Sequence, residues 1–192
     1  MIQALLAQAG VCLQQLDAVA YGRGPGSFTG IRIAAGVAQG LAFGLDRPLL
    51  PVSTLAALAL QATQRIKADY YYCGLDARMG EVYWGCYQTD VNGTKLVRLC
   101  GAELVCNPAD ISAHALPKDA SYMGCGDAWQ LGELSQNLVK GAIMIQPELL
   151  PRAQEMVLIA HAGWLSGAGV APEQGLPVYL RNTVAWKKLP RQ

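Results

Sequence analysis

In this 192-residue chain the residues best placed to do chemistry are Gly24-Pro25-Gly26-Ser27-Phe28-Thr29-Gly30, between an apolar strand pattern and a helix pattern. A glycine-rich turn there presents backbone N–H groups at a helix start, where an anion such as phosphate can be cradled. Ser27 has no histidine near it in sequence, and its position suits a helix N-cap better than a nucleophile. The helix behind the turn carries Gly36, Gly40 and Gly44, one every four residues on a single stripe. Each helical glycine costs about 0.8–1.0 kcal/mol relative to alanine, so the stripe implies a neighbour packed very closely. The segment reads at once as a phosphate site and as a docking surface.

Other candidate chemistry is sparse. His114 and His161 are the only histidines, far apart in the second half of the chain, and a lone histidine is usually structural or exposed. Asp76, Arg78 and Glu81 cluster at a turn between two strand patterns, where Asp76 and Arg78 read as a turn-stabilising pair or an interface contact rather than as ligands. Gly124-Cys125-Gly126-Asp127 follows a strand and opens a helix, but the rest of a dinucleotide fingerprint is missing. Cys12, Cys73, Cys86, Cys100, Cys106 and Cys125 fall singly, without a Cys-x-x-Cys pair. They read as small buried hydrophobes in a reducing cytosol.

The elements that position these residues alternate between helix and strand. Ile2, Leu5, Leu6, Ala9 and Leu13 form a helix stripe. Strands are expected at 17–21, 49–52, 70–76, 81–90, 95–105, 122–126 and 142–145. Helices are expected from Ser27 or Thr29 to Gly44, then at 54–65, 108–114, 127–138 and 151–164. Asn92-Gly93 marks a hairpin turn. The pattern predicts an α/β first lobe (1–66) and a second lobe (67–192) built on an antiparallel meander, with an extended tail from about 172. With 52% hydrophobic residues the chain can bury a full core. No apolar run approaches the roughly 20 residues of a membrane span, and no basic segment precedes the first apolar stretch.

Charge is unevenly spread around a net +1. From residue 174 onward Arg181, Lys187, Lys188 and Arg191 stand without an acid, a basic tail that either contacts RNA or a partner or is simply solvated. The first 46 residues hold only Asp17, Arg23, Arg32 and Asp46. A surface helix normally has a charged face, so two neighbouring helices without one favour a subunit interface. Its expected members are Ile2, Leu5, Leu6, Ala9, Arg32, Gly36, Gly40 and Phe43. The alternative is that the second helix is central to its own sheet.

The run Tyr21-Gly22-Arg23-Gly24-Pro25-Gly26-Ser27-Phe28-Thr29-Gly30-Ile31-Arg32 closely resembles the signature of the TsaB (YeaZ) family. Asp76-Ala77-Arg78-Met79-Gly80-Glu81-Val82-Tyr83-Trp84 matches as well, as do Pro177–Asn182 and Val184–Lys188, in the family's order along nearly the whole chain. The resemblance implies a two-lobed actin-like (ribonuclease H-like) fold, shared with the catalytic paralogue TsaD. It also implies a non-catalytic scaffold in the complex that adds threonylcarbamoyl to an adenosine of transfer RNA. The first-lobe helices would pair with those of TsaD, recruit the ATPase TsaE at the junction, and self-associate as a homodimer when TsaD is absent.

Two departures qualify the resemblance. Family members open with a strand hairpin that this sequence lacks, so the first lobe is expected to leave an unpaired sheet edge. TsaD carries two metal-binding histidines four residues apart on one helical face; here Thr54 and Leu58 stand in their place, and neither side chain replaces a ligand. No cofactor or metal is therefore expected on this chain alone, ATP/ADP and a metal being expected on TsaD and TsaE. Contact with tRNA would be indirect or through the basic tail, and the site cytoplasmic, away from any membrane. The competing reading is a stand-alone actin-like phosphotransferase or an M22-type metallopeptidase.

Overall fold

A computed structural model describes residues 1–90, 96–111, 116–117, 119–132, 134 and 136–181. His114, the Asn92-Gly93 turn and the basic tail beyond Arg181 lie outside these residues. The described elements are α1 (Ile2–Ala9), β1 (Val19–Gly24), α2 (Phe28–Leu45), β2 (Leu49–Ser53), α3 (Thr54–Thr63), β3 (Tyr70–Arg78) and β4 (Glu81–Thr89). They continue with β5 (Val97–Leu99), β6 (Leu104–Cys106), β7 (Tyr122–Cys125), α4 (Gln136–Gly141), β8 (Met144–Gln146) and α5 (Ala153–Leu165).

Two sheets organise them. β1 and β2 pair in parallel, Tyr21 opposite Pro51, and form a two-stranded sheet. The outer edge of β1 carries no strand among the described residues, and an apolar groove of about 570 Å³ runs along it between α1 and α2. The second sheet has the order β5-β4-β3-β7-β8, with β6 also on β4. β3, β4 and β5 form the expected antiparallel meander, but β7 and β8 join in parallel, so the sheet is mixed. α3 packs between the sheets, and its Leu55, Leu58 and Ala59 are fully buried with Tyr71, Cys73 and Met123. α5 comes late in sequence yet covers the first sheet, its Ala160 buried with Leu50 and Val52.

Several boundaries differ from the sequence reading. α1 stops at Gly10, left-handed at φ 67, so Leu13 falls on a separate 3-10 turn. α2 runs past Gly44 to Leu45 and ends on Asp46, left-handed at φ 52. The strand expected at 95–105 is divided into β5 and β6, with Gly101 (φ 85) turning the chain between them. Pro108–Asp110 forms a 3-10 turn capped by Asn107. The helix expected at 127–138 is a 3-10 turn, Asp127–Gln130, followed after the left-handed Gly132 by the short α4. α2 also corrects the membrane expectation, since by length and composition alone its 18 residues suffice to cross a bilayer. Its inner face is packed instead on β1 through Ala35, Ala38 and Ala42.

The cysteines are not all single in space. Cys73 and Cys125 face each other across β3 and β7 with their sulfurs 3.4 Å apart, and Cys100 stands beside Cys86. Burial pushes the Cys73 thiol well up and that of Cys86 up to about 12, the direction of an inert core thiol.

A buried ion pair anchors α5 under α3. Glu155, with its side chain fully buried, accepts from Arg152 Nε at 3.1 Å and Nη2 at 2.5 Å. These hydrogen bonds hold its carboxyl below the usual range. The stabilisation is present above the ordinary carboxylate range and lost as pH falls through the lowered value. Arg152→Ala leaves a buried charge unpaired and should cost about 1–3 kcal/mol at neutral pH. In urea titrations its deficit against the parent should shrink as pH drops below the carboxylate range. A deficit independent of pH would contradict this role.

Candidate docking face and signature loop

The turn at residues 24–27 is built by its surroundings rather than left open. Ser27 caps α2, its Oγ accepting from the Gly30 N–H at 3.1 Å, as its place in the sequence predicts. Gly24 sits at φ 106, and a Cβ on it would meet the Val178 carbonyl oxygen at 3.1 Å. The peptide Gly24–Pro25 is cis. The loop's carbonyl oxygens are taken: Val178 N–H donates to that of Arg23 at 2.8 Å, the Thr54 hydroxyl to that of Pro25, and Tyr83 OH to that of Gly26 at 3.2 Å. Elements distant in sequence thus hold the turn from three sides.

One of those elements is a strap formed by residues 176–181, after a 3-10 turn at Pro172–Gln174. Tyr21 OH donates to the Leu176 carbonyl at 3.2 Å. Arg181 closes the far end, donating to Glu81 and to the carbonyls of Ala77 (3.1 Å) and Arg78 (3.2 Å) at the β3–β4 turn. Between them Arg32 lies 3.7 Å over the centre of the Phe28 ring, and its Nε donates to Tyr179 OH at 2.8 Å. A cavity of about 520 Å³ opens here, walled by Gly26, Phe28, Arg32, Tyr83, Tyr179 and Arg181. Sequence reasoning missed Tyr83 and Tyr179 as supports of the turn, because no local pattern links partners so far apart.

The remaining candidates resolve into structural roles. Asp76 pairs with Arg78 at 3.0 Å and also accepts from its N–H, which makes the turn-stabilising pair expected from their spacing. Glu81 belongs instead to Arg181. Asp127 accepts from the Asp76 N–H at 2.8 Å. The Gly124-Cys125-Gly126 run serves close packing: a Cβ on Gly126 (φ 95) would lie 2.1 Å from the Gly74 carbonyl oxygen, and one on Gly124 2.5 Å from Trp129. Thr54 is committed to Pro25, and Leu58 is fully buried in the core. Among the described residues no group of three or more His, Cys, Asp or Glu side chains is gathered as a metal site.

At the mouth of the cleft between the sheets, Glu103 takes the hydroxyls of Ser53 and Tyr87 on one carboxylate oxygen. Its other oxygen faces Arg23 at 3.8 Å. Burial, with the nearby Glu103 charge, drives the Tyr87 phenol upward, so this hydroxyl stays a donor. The cluster ties β1, β2 and β4 to the β5–β6 connection.

The helices α1 and α2 both expose large apolar side chains. In α1 no residue is buried; Ile2 and Leu6 are half-buried, and Leu5 and Ala9 are exposed. In α2 Arg32, Gly36, Gly40 and Gly44 are exposed, as are Ile33, Val37 and Phe43, the last at 80%. A Cβ built on Gly36, Gly40 or Gly44 meets nothing within 4 Å. The stripe therefore does not pack inside its own sheet, where the inner face of α2 does that work.

The family model described as "TsaD: tRNA N6-adenosine threonylcarbamoyltransferase" matches residues 1–186. The chain is 43% identical to the tRNA threonylcarbamoyladenosine biosynthesis protein TsaB of Escherichia coli, over 99% of this chain and 81% of that one. Its identity to the Haemophilus influenzae protein of the same name is 38%, covering 99% of this chain and 80% of the other. Among solved structures it is similar to YeaZ from Pseudomonas aeruginosa, with a TM-score of 0.83 and 44% identity over 94% of this chain and 82% of that chain. A second Pseudomonas aeruginosa structure, of a protein with similarity to peptidase YeaZ, gives a TM-score of 0.85 at 44% identity, covering 94% and 81%. The α/β architecture is that of the actin-like fold.

Proposed function

This chain belongs to the TsaB (YeaZ) family, and on that premise we propose that it is a non-catalytic scaffold of tRNA threonylcarbamoyladenosine biosynthesis. It docks a TsaD-family catalytic subunit through α1 and α2, and the docked pair recruits a TsaE-family ATPase at the junction. The observation that carries the reading is the α1–α2 face: apolar, nearly free of charge, and open along Gly36, Gly40 and Gly44. Burying such a face stabilises association by roughly 25 cal/mol per Å² of apolar surface, before the costs of binding. The missing side chains let a partner helix approach closely.

The matching family model is named for a transferase, so an enzyme reading has to be weighed. Against it stand Thr54 and Leu58, one hydrogen-bonded to the signature turn and one in the core, where the resemblance implies histidine ligands in the catalytic paralogue. The carbonyls of the turn fasten it to Thr54, Tyr83 and Val178, and its Gly30 N–H is already taken by the Ser27 side chain. ATP/ADP and metal chemistry then belongs to the TsaD and TsaE partners. Transfer RNA is reached through those partners or through the basic tail, in the cytosol. Calorimetric titration of the purified chain with ATP and divalent metals tests this. Neither tight nucleotide binding nor turnover is expected, and micromolar ATP binding with turnover would overturn the proposal in favour of a stand-alone phosphotransferase.

A further inference from the structure

Where β2, α5 and the edge strand β5 come together, a cavity of about 350 Å³ opens beside the Glu103 cluster. Its walls are mostly apolar, among them Leu50, Val52, Val97, Leu99, Ile159 and Ala160. Five polar side chains also line it, and three of these are committed. Ser53 donates to Glu103, Tyr87 OH donates to the same Glu103 oxygen, and Ser166 donates to the Gly163 carbonyl at 3.0 Å. The other two are Arg23 and Glu103. Because Oε1 of Glu103 holds both hydroxyls, Oε2 is left facing Arg23 alone. At 3.8 Å that contact is an ion pair without a hydrogen bond. The Arg23 guanidinium makes no hydrogen bond among the described residues. The Glu103 side chain is 6% exposed and so fixed in place, whereas that of Arg23, at 34%, is free to turn toward a ligand.

We propose that this cavity binds a free α-amino acid with an aliphatic side chain. The ammonium of the ligand meets Glu103 Oε2, its carboxylate meets the Arg23 guanidinium, and its side chain enters among Leu50, Val52 and Ile159. An α-amino acid carries both charges on one carbon, less than about 3 Å apart. That spacing matches a cation and an anion held 3.8 Å apart. Each charge of the ligand then gains a charge-assisted hydrogen bond of about 2.7–2.9 Å, and the four charges alternate in sign. The volume stands at the small end of ligand pockets, which run to about 300–1,000 Å³. A nucleotide fits poorly, since its phosphates find one cation and are repelled by a buried carboxylate. An amine alone leaves Arg23 unmatched, and an alkyl carboxylate alone brings a second anion against Glu103. No residue of α1 or α2 lines the cavity, so ligand binding here and docking there can fail independently.

Calorimetric titration of the whole chain with L-leucine tests this, beside isoamylamine and isocaproate, which keep the side chain and lack the carboxylate or the ammonium. Leucine should bind with a dissociation constant of about 0.01–1 mM, the range open to so small a ligand. Each one-headed analogue should bind roughly tenfold or more weakly, having lost one charged hydrogen bond. Glu103→Gln keeps an acceptor for Ser53 and Tyr87 and removes the charge. It should weaken leucine roughly tenfold or more and leave isocaproate no weaker. Arg23→Gln should weaken leucine to a similar degree and leave isoamylamine no weaker. Melting temperatures identify a variant that fails to fold, and the three ligands on the parent chain decide the matter without it. No binding of leucine at about 10 mM, well above the expected range, would overturn the proposal. So would leucine bound no more tightly than its analogues, or a leucine affinity unchanged in both folded variants.

Discussion

Gly40→Leu is expected to weaken association with the TsaD-family partner roughly 5- to 150-fold, the equivalent of about 1–3 kcal/mol of overpacking at a close helix contact. The isolated chain should lose nothing. Its Gly40 is exposed, and a Cβ there meets no atom within 4 Å. Replacing a helical glycine with leucine even favours the helix, by up to about 1 kcal/mol. The signature is therefore a raised or unchanged melting temperature together with a lost complex. A destabilised monomer with an unaffected complex would return the stripe to the interior and remove the ground for docking.

Gly126→Ala should do the opposite, unfolding the chain while touching no surface. Gly126 adopts φ 95, and a Cβ would stand 2.1 Å from the Gly74 carbonyl oxygen and 2.8 Å from a methyl of Leu58. A positive φ costs a non-glycine residue about 1–2 kcal/mol. Displacing the backbone of β3 adds an overpacking cost of about 1–3 kcal/mol. A loss of about 2–5 kcal/mol in urea unfolding is expected. A variant of native stability would mean that the strand-turn glycines are kept for a ligand rather than for packing.

The sequence revealed most where the physics is local. The Ser27 cap, the charge-poor α1 and α2, the Asp76–Arg78 turn pair and the β3–β4 hairpin all arise from residues within a few positions of one another. Boundaries moved where a glycine bends the chain, at Gly10, Gly101 and Gly132, because periodicity does not say which glycine will take a positive φ. The supports of the signature turn were hidden for another reason. Thr54, Tyr83 and Val178 reach it from three separate elements, and only the fold brings them together. The same holds for the Cys73–Cys125 contact, in which two single cysteines become neighbours across parallel strands. The direction of the glycine stripe was not legible either. Spacing put the three glycines on one face, and the structure turns that face outward.

The most direct test of the scaffold account is a reconstituted transfer assay, with the TsaD- and TsaE-family proteins of the same genome, transfer RNA and the threonylcarbamoyl donor. With this chain present, modified transfer RNA should accumulate over many turnovers; without it, or with Gly40→Leu in its place, accumulation should fall severely. Unchanged modification in its absence would contradict the account, as would modification by this chain with neither partner present.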